Sequence, residues 1–172
     1  MGLREETAEK HRIAEQKEFN QKMFRGELTK EEYVEYLKIQ LIIFYVIETK
    51  FKLPHDGLKR YEKVVEDLNE LGHETVHIHG DLDYANYLLT LNDGTILPHI
   101  YLNYLALAYG GQMMKSKVPG SGRMYDFDNM MECVGSIRAV QKDEWAEEVN
   151  KGFDFLIDIF DGLQNTTRPN GE

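Results

Sequence analysis

Between Thr29 and Phe51 the chain reads TKEEYVEYLKIQLIIFYVIETKF, and this run restricts the fold more than any other. Thr29-x-x-Glu32 is a capping box, in which hydroxyl and carboxylate each take an orphan backbone N–H, so a helix opens here. Its second half is apolar nearly all round, so that half is expected to be buried. Helical periodicity dominates the rest of the chain, with no convincing strand alternation. Pro54, Pro98, Pro119 and Pro169 all fall between helical stretches. The expected fold is an all-α, single-domain helical bundle with short connections. At 172 residues the chain is long enough to bury one core without staples.

The pattern sets out the other elements. A first helix is expected from Leu3 to Lys17, with Leu3, Thr7, His11 and Ala14 on its inward stripe. Further helices are expected over Leu58 to Leu71, closed by Gly72 as a C′ glycine, and over Asp81 to Leu91. Leu97 to Lys117, Asp128 to Val140, and Asp143 to Leu163 complete the set. The domain spans 1–164, and a tail over 165–172 is expected to fray.

A net charge of −10 argues against broad nucleic-acid binding, which needs a basic footprint. Two local basic clusters, Lys50 to Lys63 and Lys115, Lys117 and Arg123, read as docking patches or as solvated surface. The single Cys133 excludes an internal disulfide and fits a reducing compartment. The opening MGLREETAEKH has no apolar h-region. The myristoylation pattern that Gly2 invites fails at Glu6. The longest apolar run, Leu41 to Ile47, is too short to span a bilayer. These features point to a cytoplasmic protein with no membrane and no nucleic-acid partner.

One segment breaks its own rules. In YLNYLALAYGGQMMKSKV, Gly110 and Gly111 stand side by side inside good helix material, and each costs a helix about 1 kcal/mol. Such a pair serves a kink, a tight helix crossing, or close backbone approach to a flat ligand. His11 reads either as a hydrogen-bonded core residue or as an axial ligand to a haem iron. Glu15, one turn on, could hold its second nitrogen. His73, His77 and His79 have metal-permitting spacing but lie in a loop, where histidines are mostly solvated. His55 and His99 are lone helix-boundary residues with no partner in view. No phosphate-cradling loop, nucleophile elbow, zinc-protease motif or C-x-x-C is present. The paired E-x-x-H pattern of di-iron bundles is absent.

Two segments together carry a resemblance. Thr7, His11, Ala14 and Glu15 complete T-x-x-x-H-x-x-A-E, which resembles the proximal helix of the haem oxygenase family. His99-x-Tyr101 through Gly110-Gly111-Gln112 resembles its distal helix. Val118 to Gly122 and Tyr125 to Phe127 look like the loop of microbial members. The resemblance implies haem sandwiched between proximal and distal helices, serving as both cofactor and substrate. It implies cleavage by O2 and reductant to biliverdin, CO and Fe2+. His11 would be the axial ligand to the iron, Glu15 its acidic partner, and Gly110 and Gly111 the glycines against the macrocycle. Arg4, Tyr101 and Arg138 would hold the propionates, while Phe153 and Phe160 fit the family spacing on the last helix. An external electron donor, a ferredoxin or a reductase, is implied, with the protein a monomer or weak dimer.

Departures from the family pattern matter equally. Leu107 stands where the distal Asp is usual, Asn103 where an arginine is, Phe44 where a tyrosine is and Leu156 where an asparagine is. The distal water network loses four polar contributors, with Tyr109 as a candidate replacement hydroxyl. The sequence therefore also admits a catalytically impaired haem-binding protein, a carrier, store or sensor. A helical interaction module without cofactor is the third reading.

Overall fold

The structure, a computed structural model, describes residues 1–74 and 81–167. Ten helices appear among them: α1 (Leu3–Glu6), α2 (Ala8–Gln16), α3 (Glu18–Phe24), α4 (Lys30–Lys50), α5 (Tyr61–Glu70), α6 (Asp83–Leu88), α7 (Leu97–Ala108), α8 (Gly111–Met114), α9 (Met130–Arg138) and α10 (Ala146–Thr167). Short 3-10 turns lie at Asp56–Leu58, Arg123–Tyr125 and Asp143–Trp145, and no strand occurs among the described residues. No described helix is long and apolar enough to cross a membrane. The tail expected to fray from residue 165 stays helical through Thr167, and 168–172 lie outside the described residues.

The capping box opens α4 as its sequence requires. Glu32 N–H donates to Thr29 Oγ1 at 3.1 Å, Thr29 N–H donates to Glu32 Oε1 at 2.8 Å, and Lys22 Nζ sits 2.8 Å from Glu32 Oε2. Tyr33, Leu37, Ile43, Phe44 and Ile47 on α4 are fully buried in the main core. α10 lies across the bundle and touches α2, α3, α4, α6 and α7. A second, smaller core joins Leu3, Ala14, Leu102, Trp145, Val149 and Phe153, where α1, α2, α7 and α10 converge.

Buried polar groups fasten these helices. Glu48, near the end of α4, accepts the N–H groups of Arg60 (2.8 Å) and Tyr61 (3.1 Å) and the hydroxyl of Tyr104 (2.9 Å). It thereby caps the electropositive start of α5 and ties α4 to α7. Burial nevertheless pushes its pKa up. Asp67 on α5 accepts the N–H groups of Arg123 and Met124, each at 2.9 Å. Arg60, almost wholly enclosed, spends its guanidinium on the carbonyls of Gly57, Leu58, Lys59, Met124 and Asp126, and its Cζ lies 3.8 Å from the Phe127 ring centroid.

Removing Arg60 strands these carbonyls in the interior. We expect Arg60→Ala to lower stability by about 3 kcal/mol or more. The readout is a lower urea midpoint at unchanged slope. Arg12→Ala, which removes an exposed guanidinium paired with Glu9, should leave the midpoint in place.

Candidate functional site

The N-terminal limb departs from the single helix expected over Leu3 to Lys17. Thr7 closes α1 after one turn, with backbone angles of −104° and 0° and its Oγ1 donating to Leu3 O at 2.9 Å. Leu3, Thr7 and Ala14 are buried as the stripe requires, but His11 is not, its side chain being 56% exposed. The reason is local. α2 reads AEKHRIAEQ, so it rests on α10 through small Ala14 and leaves the longer imidazole projecting. His11 Nε2 lies 3.0 Å from Glu15 Oε1, and its ring stands edge-on to buried Phe153 at 5.6 Å. Lys10–Asp154 (2.7 Å) and Lys17–Asp161 (3.1 Å) moor α2 to α10 on either side of it.

The helix expected over Leu97 to Lys117 breaks at the glycine pair. Tyr109, at −99° and −85°, leaves α7, and the chain turns helical again at Gly111. Gln112 Nε2 holds the break by donating to Leu107 O (3.2 Å) and Tyr125 O (2.6 Å). The two glycines do different work. A Cβ on Gly111 would stand 2.7 Å from Cδ1 of the buried Tyr125 ring, so the protein's own core requires that glycine. A Cβ on Gly110 would meet only Ala106 O, at 3.8 Å. Gly110 and Ala106, one turn apart, are both exposed. The result is a helix face shorn of side chains that no described part of the protein covers.

Two arginines differ from the rest in their surroundings. Arg4 follows Leu3, whose N–H donates to Asp143 Oδ1 at 3.1 Å. The adjacent Trp145 meets the Tyr101 ring at 6.1 Å. Arg138 Cζ lies 5.9 Å from the Tyr101 centroid and 5.6 Å from that of Tyr109. Arg12, Arg25 and Arg123 have carboxylate partners, whereas Arg4 and Arg138, both exposed, have none among the described residues. In a chain with 30 acidic residues, exposed arginines without a carboxylate partner suit an incoming carboxylate.

The remaining candidates lie deeper. Leu107 and Phe44 are buried in the main core, Phe44 against Tyr104 at 5.1 Å, and Leu156 is half-buried. Phe160 stacks between Phe19 and Tyr36, both at 6.4 Å, within the main core, while Phe153 alone meets His11. Tyr109, 53% exposed, turns its ring to Arg138 at the rim. His77 and His79 lie outside the described residues. Among the described residues no group of three metal-type side chains assembles.

His99 and His55, without visible partners in the sequence, acquire them in the fold. His55 Nδ1 accepts the Gly57 N–H at 2.9 Å, and its Nε2 lies 3.3 Å from Glu132. His99, fully buried, has Tyr84 Oη at 2.7 Å from Nδ1 and Glu148 Oε1 at 2.9 Å from Nε2. Burial lowers its pKa against the opposing pull of Glu148. Asn103 Nδ2 donates to Tyr84 Oη (2.9 Å) and His99 O (2.8 Å). No local signal announces this network, because Glu148 lies 49 residues from His99.

A search among curated protein sequences gives no match. Solved structures do match. Haem oxygenase-2 from the cyanobacterium Synechocystis, in complex with haem and NO, superposes with a TM-score of 0.78 at 19% identity, covering 95% of this chain and 84% of that one. Haem oxygenase-1 from Synechocystis, in complex with haem, gives 0.76 at 19%, covering 95% and 91%. The haem oxygenase of Leptospira interrogans gives 0.74 at 20%, covering 94% and 100%. At such identities these likenesses establish a shared helical fold. The haem oxygenase family model matches residues 1–160. With that match running through α2, α7 and most of α10, the chain belongs to the haem oxygenase family.

Proposed function

We propose that the protein binds haem between α2 and the α7–α8 break and cleaves it, with O2 and electrons from a separate donor, to biliverdin, CO and Fe2+. The observation that carries this reading is Gly110, whose bare backbone opens onto a surface that no described residue fills. A flat macrocycle is the ligand such a face admits, since one methyl group would already hold it off. Haem, when bound, supplies both the iron that activates O2 and the ring that is oxidised.

The chain's residues divide the remaining tasks. His11 is the ligand, and Glu15 holds one imidazole nitrogen so that the tautomer presents the other as an electron-pair donor. Phe153 backs the imidazole. Arg4 and Arg138 neutralise carboxylates at the ring edge, with Tyr101 beside them. Gly110 and Ala106 bring the wall close, and the apolar Phe44, Leu107 and Leu156 behind it supply no polar group to hold water. No flavin or iron–sulfur motif is legible in the sequence, so a ferredoxin or a reductase is the donor expected.

A second reading, haem binding without turnover, draws support from that same apolar wall. Asn103 does not replace the missing donors, since both hydrogens of its amide are committed to Tyr84 and His99. Tyr109 lies at the rim against Arg138.

Hemin titration should give a Soret band, and His11→Ala should weaken binding by about tenfold or more, on the scale of a lost metal ligand or its support. Reduction in air by ferredoxin or ascorbate should then yield a bilin and CO. Unchanged haem after full reduction would instead select the second reading. In that event Leu107→Asp, which restores an acid at the distal position, should recover turnover if the acid alone is missing.

The glycines should separate. Gly111→Ala overpacks the Tyr125 ring and should lower stability by about 1–3 kcal/mol. Gly110→Ala should leave the thermal midpoint in place and instead weaken hemin binding or shift its spectrum.

A further inference from the structure

We propose that Tyr109 is a specificity-determining positioning residue: with Tyr101 it holds the Arg138 guanidinium beside the bare face, and so sets the in-plane orientation of the haem and the ring edge that is opened. This role rests on the proposed haem binding. A single axial bond from His11 lets a disc turn about that bond. Ala106 and Gly110 oppose it with no relief, so they cannot stop the turning either. The stop has to come from the rim, where the carboxylates are held.

Arg138 is the rim group whose position the structure explains. Tyr101 and Tyr109 are eight residues apart, about 12 Å along a helix. Arg138 Cζ lies 5.9 Å from one ring centroid and 5.6 Å from the other, so it meets both rings. A guanidinium held by aromatic rings keeps its N–H groups for in-plane bonds. Gln141 Oε1 takes Nη1 at 2.6 Å, which narrows the fork further. Tyr109 is also the residue at which α7 ends, immediately before Gly110. The turn that bares the wall and the ring that aims the arginine therefore share one residue. The contact uses the ring's quadrupole and leaves the hydroxyl without a part in it, which makes this role separable from proton donation.

The test reads orientation directly. The ferric haem complex gives hyperfine-shifted haem-methyl proton resonances whose relative intensities report in-plane orientations without turnover. Wild type and Tyr109→Phe should show the same dominant set. Tyr109→Ala should raise the minor set by roughly two- to fivefold, the population ratio an exposed cation–π contact supports. The mixture of bilin isomers should follow it wherever turnover occurs. In the Arg138→Leu background, Tyr109→Ala should add nothing further. A wild-type methyl pattern in Tyr109→Ala, loss of the pattern in Tyr109→Phe, or an undiminished Tyr109→Ala effect without Arg138 would each overturn the proposal. Failure of the wild-type protein to bind hemin would instead remove the haem reading and this inference with it. Tyr109 is half-exposed at the surface, so its substitution leaves the cores intact, which circular dichroism checks.

Discussion

A helix can offer bare backbone to a ligand only if it is held from its other side. α7 is held so by a buried polar chain. Asn103 and His99 on α7 join Tyr84 on α6 and Glu148 on α10, and Tyr87 also donates to Glu148. In a low-dielectric interior such a network is rigid when every member is satisfied and costly when one is lost. Gly152 lets α10 come close enough to close it. A Cβ there would lie 2.5 Å from Leu102 Cδ2 and 3.2 Å from both His99 Nδ1 and Tyr84 Oη. Tyr104, one residue after Asn103, adds a bond to Glu48 and so a tie to α4.

The same logic reaches the α7–α8 break from further away. Arg60 and Asp67 hold the carbonyls and N–H groups of the Arg123–Tyr125 turn. That turn puts the Tyr125 ring against Gly111. The glycine-bearing break therefore hangs on buried bonds to Arg60 and Asp67. The histidine-bearing limb is held differently. α2 is moored by half-exposed ion pairs, which contribute little in water. Its apolar hold on the bundle is essentially Ala14. The glycine-bearing segment is thus the more firmly held and the histidine-bearing limb the more loosely held of the two.

Much of this is legible in the sequence wherever the determinant is local. The Thr29–Glu32 box opens α4, and most of its apolar half is buried, though Tyr45 on that half stays exposed. Gly72 ends the α5 segment with a positive φ of 86°, as a C′ glycine should. His11 and Glu15 pair across one turn because i and i+4 face each other on any helix. Helical periodicity misleads where it assumes one continuous helix. A stripe through Leu3, Thr7, His11 and Ala14 needs unbroken phase, and the stop at Thr7 together with polar α2 leaves His11 outside. The glycine pair looks like one feature in the sequence, whereas the structure gives each glycine its own neighbour or lack of one.

The sequence by itself determined that this chain is an all-α bundle around one central helix, and it paired an imidazole with an acid one turn on and set a glycine pair inside helix material. It could do so because capping, helical period and i, i+4 spacing act within a few residues. Only the tertiary structure decided that Gly111 belongs to the core and Gly110 to the outer face, that His99 is a strut, and that Arg138 meets the rings of both Tyr101 and Tyr109. Those outcomes depend on which distant side chain arrives, Tyr125 against Gly111, Glu148 beside His99 and α9 alongside α7. No local rule in the chain encodes the partner of a buried group, because that partner is set by packing.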